Sequence, residues 1–512
     1  MSITHGREIG APLRISCDAV IVGSGAGGAV MARELSRAGL EVVILEEGAH
    51  VPKEVYGKLP PTQSLRRMAR EAGLNTAIGL GDTPLISLMA GKVVGGSSVL
   101  TGGVAYRIPT EVLEDWDERL ALHHLSPAAM DPFFAEIERA VHVETVPVSM
   151  QSRSTVLFGE GAAKMGYTMQ PIRRNTSGCQ GASRCTFGCP HGAKMSVDIS
   201  FLPAAFEAGA RLYSDALVER VDVTGGRARG VRGRFLDQDT GEPRVPFEIK
   251  ARLVIVACGS IHTPVLLRQS GLGGPHIGRH MTLHPAFRVA AVFDEEIDGW
   301  DGAMQSAFIG DLMHEGLIFN SVYSAPNILA AAFPGVGKEQ MRLTHKVRNL
   351  AVFGGMVHDD AGGTVRRWIS REPLLTYRMS ARDRERMWKG MQLLGQWAFA
   401  AGAKEVLLPL FGSETVKKPK ELDDLTKHPP KANRVECMSF HPLGTAKMSV
   451  DPRDGVVKPS GETWQVENLI VCDGSVVPTS VGVNSQIPIM SVALMLARRT
   501  VEDWKTYSRR VA

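Results

Sequence analysis

Residues 17–48 read "CDAVIVGSGAGGAVMARELSRAGLEVVILEEG". The apolar run from Ala19 to Val22 predicts a strand that enters the turn Gly23-x-Gly25-x-x-Gly28. A helix should follow to about Ala38, ended by Gly39, and a second strand, Val42 to Leu45, stops at Glu46. A strand–turn–helix–strand unit of this kind opens a parallel sheet of the α/β class. The glycines have separate tasks. One permits the tight turn, one lets an anion approach the backbone, and one lets helix and strand pack closely.

Around Ser24 and Ala26 the N–H groups at the start of the helix have no partner within it, and such a terminus attracts phosphate. Glu46 lies 23 residues after Gly23, where a carboxylate can accept hydrogen bonds from a ribose. The unit is expected to hold a dinucleotide. NAD and FAD both fit these residues.

Near the other end come "SFHPLGTAKMS" (439–449) and "NLIVCDGSVVPTSVGVNSQIPIMSVALMLARR" (468–499). The second predicts a short strand, Leu469 to Val471, a turn at Asp473-Gly474, and an apolar helix from about Ile487. A strand ending in Asp-Gly at a helix entrance suits a second contact with a long dinucleotide. His441 and Asn484 stand out as polar groups in apolar company.

Together with "GKVVGGSSVLTGG" at 91–103, these stretches resemble the glucose–methanol–choline (GMC) oxidoreductases. The resemblance implies FAD-dependent oxidation of an alcohol. It also implies an α/β fold: a discontinuous Rossmann-like FAD-binding domain plus an α+β substrate domain with an antiparallel sheet. It places the flavin ring near Gly95, Gly96, Ser97 and Ser98, and the adenine against the backbone of Val218. His441 matches the general base of the family and Asn484 the second active-site position, where members carry His or Asn. An imidazole titrates near neutrality and can take a hydroxyl proton, whereas an amide can only orient the oxygen. His284 also precedes a proline, but it lies outside the matching motif. Leu100 stands where some relatives attach FAD covalently through His, so non-covalent FAD is expected. Thr101 stands where many members have Asn.

"GCPHGAKMSVDISFLPAAFEAGARL" (188–212) and "VHDDAGGTVRRWISREPLLTYRMSARDRERM" (357–387) resemble the long-chain alcohol oxidases. The substrate this implies is a long-chain aliphatic or steroidal alcohol, with O₂ or another external acceptor taking the electrons. Cys179, Cys185 and Cys189 lie in a segment that resembles bacterial cholesterol oxidases and also the cluster-carrying subunit of FAD glucose dehydrogenases. Structural cysteines and ligands of an iron–sulfur cluster are both open readings there, and packing is the preferred one because thiolate spacing alone is permissive. The alternative functions are a sugar or polyol dehydrogenase wired through such a cluster and a hydroxynitrile-lyase-like enzyme.

Signatures at both ends imply an interrupted FAD domain, expected over 1–110, 186–285 and 431–512. A cap segment over 111–185 and a substrate domain over 286–430 complete the layout. "ARLVIVACGSIHTPVLLRQSG" (251–271) predicts a strand and then a helix. Within 286–430 the run "FRVAAVF" predicts a strand, Asp359 to Gly363 a hairpin turn, and Ala381 to Ala401 a long helix. The apolar runs "PLISLMAGKVV" and "NILAAAFPGVG" read as core before pocket lining.

The chain has 512 residues, 44% of them hydrophobic and 22% charged, which suits a globular protein of several domains. A net charge of +4 without a long basic block gives no case for nucleic acid. No apolar leader opens the sequence and no run reaches the ~18 residues of a membrane span, although peripheral membrane contact stays open. Seven cysteines are ordinary usage and an odd count, so a reduced, cytoplasmic protein is expected.

Overall fold

The computed structural model describes residues 2–510, apart from 324, 332, 334, 335, 361, 369, 370, 413 and 414. The opening unit forms as expected. Leu13–Val22 is a strand, Ala26–Arg37 a helix and Val42–Leu45 a parallel neighbour strand. The first strand starts earlier than its apolar run because Leu13 to Cys17 alternate in exposure and pair with Phe247 to Ala251.

Among the described residues, eight strands make the first sheet. Its order is Ile3–His5, Arg211–Ser214, Val42–Leu45, Leu13–Val22, Pro243–Val256, Arg227–Leu236 and Ala216–Thr224, with Leu469–Val471 also paired to Pro243–Val256. The central pairings are parallel, and the last three strands in that order run antiparallel. Ala19 to Ile21, Val42 to Ile44 and Leu253 to Val256 are fully buried. Such two-sided burial is what continuous apolar strands between helical layers require. The helix Gln486–Glu502 packs on Ala26–Arg37, so the two ends of the chain share one core.

The second sheet is mostly antiparallel and has twelve strands among the described residues. Its centre is Ala286–Val292 beside Leu350–Val357, backed by the helices Arg153–Ala163 and Ala381–Ala401. Ser380 caps the long helix by accepting from the N–H of Asp383, and Gly402 ends it in the left-handed conformation. Trp397 anchors the layer, with ring centroids 4.8 Å from Phe319 and 5.0 Å from Tyr167. Strands from outside 286–430 join this sheet: Asn75–Gly79, Ile86–Leu88, Met169–Pro171 and Cys437–Ser439.

One expected element is corrected. Asp359 to Gly363, of which position 361 lies outside the described residues, does not close a hairpin. Leu350–Val357 pairs with Ala286–Val292 and Leu317–Ser321, whereas Gly363–Arg366 pairs with Leu374–Tyr377 at the far end of the sheet. The physical reason is the side chain of Asp359. It is buried and accepts from the N–H groups of Leu283 and His284 and from Tyr377 Oη and Ser480 Oγ, so the chain crosses the sheet at that point. Of the two apolar runs, Ile86, Leu88, Leu329 and Phe333 are core. Positions 332, 334 and 335 of the second run lie outside the described residues.

Gly27, which the spaced fingerprint does not single out, sets the approach of the first helix. A Cβ there would sit 1.9 Å from the carbonyl oxygen of Cys472. Gly27→Ala is therefore expected to lower the unfolding free energy by about 1–3 kcal/mol, the usual cost of overpacking. A urea midpoint unchanged from the parent protein would contradict this.

Candidate active site

A cavity of about 710 Å³ lies along the ends of the first sheet's strands. Gly23, Gly25, Ala26, Glu46, Gly96, Ser97, Ser98, Val218, His441, Asp473 and Gly474 all line it. The sequence-predicted residues thus converge from both ends and the middle of the chain. Ser24, Gly28, Gly95 and Asn484 stand behind this wall.

The glycine turn is built for backbone approach. Gly23 has φ of +103°, and a Cβ on Gly28 would sit 2.0 Å from the oxygen of Gly23, so both positions require glycine. A Cβ on Gly25, by contrast, would meet nothing nearer than Gly96 Cα at 3.9 Å. No side chain caps the helix there, so its positive end faces open space. The cradle fits a pyrophosphate.

Glu46 organises the next layer. One carboxylate oxygen accepts from Ser24 N–H (3.0 Å) and Ser24 Oγ (2.7 Å), and the other accepts from Gly48 N–H (2.8 Å). Ser24 Oγ in turn accepts from the N–H of Gly95 at 3.0 Å. Burial pushes the Glu46 carboxyl upward, and these hydrogen bonds oppose it. Asp473 is likewise buried and raised; its carboxylate accepts from Gly259 N–H (2.9 Å), Thr263 Oγ (2.5 Å) and Ser475 N–H (2.7 Å). Ser98 Oγ donates to Gly95 O (2.7 Å) and accepts from Val197 N–H (3.1 Å), which holds the segment 95–98 against the cavity.

His441 and Asn484 meet at the cavity: His441 Nε2 is 3.1 Å from Asn484 Nδ2. With the amide donating, Nε2 is the acceptor. His441 Nδ1 and Asn484 Oδ1 have no partner among the described residues. Burial drives the His441 pKa down to about 4, so the ring is neutral at pH 7. His284 lies behind it, fully buried, with ring centroids 5.5 Å apart. His284 Nε2 accepts from the N–H groups of Val481 (3.2 Å) and Gly482 (3.1 Å), on the loop that carries Asn484. Burial holds the pKa of His284 well below its usual value, as this double acceptance requires. Asp359 braces the same loop through Ser480, and Ser439, two residues before His441, donates to Leu283 O.

Sequence reading missed Asp359, the bracing role of His284, and an ion-pair group at the cavity wall. In that group Glu47 is paired with Arg70 (2.7 Å) and Arg371, and Glu372 with Arg70 (2.9 Å). Burial alone would raise the Glu47 carboxyl, but Arg70 and Arg371 hold it far below the ordinary range. Glu47 directly follows Glu46, and a second consecutive acid at a strand end was the one local signal.

Cys179, Cys185 and Cys189 line one small space with Arg174 and Lys194. Its volume is about 20 Å³, room for about one water. Arg174 donates to Cys185 Sγ at 2.9 Å, and Lys194 Nζ donates to the carbonyls of Val99 (2.6 Å), Thr101 (2.9 Å) and Cys185 (2.8 Å). Burial opposes ionisation of Cys185, but the two cations overcome it and draw its pKa down. All seven cysteines are free, and among the described residues no trio of His, Cys, Asp or Glu is arranged to hold a metal ion.

Two family models described as GMC oxidoreductase match residues 17–286 and 367–493. An uncharacterised GMC-type oxidoreductase of Mycobacterium tuberculosis is 37% identical over 489 residues, covering 94% of this chain and 76% of that protein. The long-chain-alcohol oxidase FAO4B of Arabidopsis thaliana is 30% identical over 519 residues, covering 96% of this chain and 68% of that protein. Among solved structures, formate oxidase of Aspergillus oryzae superposes with a TM-score of 0.74 at 16% identity, covering 97% of this chain and all of that one. The chain belongs to the GMC oxidoreductase family, whose FAD-dependent members act on CH–OH donors.

Proposed function

We propose that this protein oxidises a long-chain aliphatic or steroidal alcohol to its carbonyl compound, with non-covalent FAD in the cavity and O₂ or another external acceptor taking the electrons. The observation that carries this reading is the His441–Asn484 pair, a neutral imidazole and an amide meeting beside a cavity of dinucleotide size. The substrate class rests on the similarity to plant long-chain-alcohol oxidases. Leu100, buried and without a nucleophilic atom, supports a flavin held without a covalent bond.

Bound FAD supplies the hydride acceptor. The chain's own residues supply the rest. Gly25 and the open helix end would hold the pyrophosphate, Glu46 the ribose side and Val218 the adenine side, with Gly95, Gly96, Ser97 and Ser98 beside the flavin. When the substrate hydroxyl replaces the Asn484 N–H on His441 Nε2, that nitrogen takes the hydroxyl proton as the C–H bond breaks. The released Asn484 amide orients the oxygen and holds its developing negative charge. The proton rests on the imidazole until it passes to solvent or to the reduced acceptor.

Anaerobic mixing with a long-chain primary alcohol should bleach the flavin absorbance. His441→Ala should slow that step by about 10²–10⁴-fold with FAD retained, the usual worth of a general base, and Asn484→Ala should slow it less. Bleaching by His441→Ala at the parent rate would remove the base from His441.

The pH dependence follows from the depressed pKa. A group neutral above about 4 stays a competent base through the neutral range. The reduction rate constant should therefore be level from pH 8 down toward 5 and fall only as the pH nears 4. An inflection near an ordinary imidazole value of about 6.5 would show that His441 is not held neutral by burial.

Glu46→Ala removes an acceptor shared by Ser24 and Gly48 and frees Ser24 from its tie between the glycine turn and Gly95. Weaker FAD retention in gel filtration is expected, with near-parent reduction rates once FAD saturates. FAD affinity equal to the parent would assign Glu46 a purely internal role.

A further inference from the structure

We propose that the outer face of the second sheet at its Gly363–Arg366 end docks on an anionic phospholipid bilayer, beside the active-site cavity. Exposure alternates along the strand Asn75–Gly79, with Ala77 buried and Ile78 turned outward. Ala77 pairs with Ile86, so the ladder sets Leu85 opposite Ile78, and Thr376 flanks Ile78 on the other side. The inner face of these strands is core, formed by Ala77, Ile86, Val365, Leu375 and Tyr377. The outer face is bare. Ile78 is 46% exposed and Leu85 54%; Leu74, just before the strand, is 79% exposed and Trp368, just beyond the edge strand, 54%. Large apolar side chains gathered on one face, with an indole among them, mark an interaction surface.

Charge selects the occupant. Arg366, Arg367 and Arg378 are exposed around this face and have no ion pair among the described residues. The nearby acids Glu47 and Glu372 are engaged by Arg70 and Asp82 by Arg384, which leaves Glu71 and Asp360 as exposed acids against the three arginines. A second copy docking by a two-fold axis would bring this arginine-rich patch against itself, with like charges facing. A surface rich in lipid phosphates matches both the apolar centre and the basic edge.

The position adds a functional reason, which rests on the alcohol-oxidase reading above. Arg367, Arg371 and Glu372 line the main cavity. Arg371 and Glu372 also border, with Leu74, an adjoining depression of about 540 Å³. A long-chain alcohol dissolved in lipid would then leave the bilayer next to the site and cross little water.

The test is co-sedimentation of holoenzyme with vesicles of phosphatidylcholine alone, or of phosphatidylcholine mixed with phosphatidylglycerol, without any alcohol. Binding is expected to the anionic vesicles, weakening as salt is raised. Arg366→Gln and Arg378→Gln should each weaken it about fivefold, the usual worth of one cation near an anionic surface. Trp368→Ser, and separately the pair Ile78→Ser with Leu85→Ser, should reduce the sedimented fraction while melting temperature and flavin content hold. The loop and arginine variants lie outside the core, so the test survives misfolding of the strand pair. Absence from anionic vesicles, or variants that bind like the parent, would overturn the proposal. So would a dimer, seen by light scattering, that Ile78→Ser with Leu85→Ser dissolves. Because the vesicles carry no alcohol, this result is independent of whether alcohols bleach the flavin.

Discussion

The fit of the first helix against the strand ends is the constraint on which the site depends. Gly27 lies against the carbonyl of Cys472 and Gly28 against that of Gly23, so neither tolerates a Cβ. That contact brings a turn near residue 25 and a turn near residue 473 to one cavity from opposite ends of the chain. The backbone left bare at Gly25 is a consequence of the same packing. Dense contact on two sides of the turn leaves the third side open for an anion.

From this junction outward, the site is held by buried polar groups whose hydrogen bonds come from backbone N–H groups and neighbouring hydroxyls. Glu46 and Asp473 each accept from backbone N–H groups of neighbouring turns, and Ser24 links the glycine turn to Gly95. Removing one partner from such a network strands the others away from water, which costs more than the lost bond itself. The walls are therefore rigid where a cofactor would need fixed donors and acceptors.

Burial does a different job on the imidazoles. His441 and His284 are neutral because a charged ring is poorly solvated there. Neutrality makes His441 a proton acceptor and lets His284 receive two N–H groups from the loop before Asn484. Protonation of His284 would turn that acceptor into a donor facing two donors. Asp359 supports the arrangement from the other sheet by holding Ser480 and the backbone of Leu283 and His284, and so couples the two halves of the molecule at the reacting end of the cavity.

The sequence by itself determined the elements whose causes are local. The strand Ala19 to Val22, the glycine turn and the helix to Arg37, the strand Leu469–Val471, and the helix Ala381–Ala401 all follow from apolar period, turn chemistry and caps within a few residues. The start of the first strand at Leu13 depends instead on its pairing with Phe247 to Ala251. The motif residues His441 and Asn484 were legible through resemblance. Tertiary structure decided what joins distant segments. The Asp359–Gly363 stretch has hairpin composition, yet a carboxylate that finds four partners far along the chain outweighs a local turn preference. Strands at 75–88, 169–171 and 437–439 joined a sheet centred on 286–357 because edge hydrogen bonds are satisfied by any backbone of matching direction. The bracing roles of His284 and Asp359, and the bare face around Ile78, have no signature in the one-dimensional pattern. They depend on which groups folding brings within hydrogen-bond reach and which face it leaves uncovered.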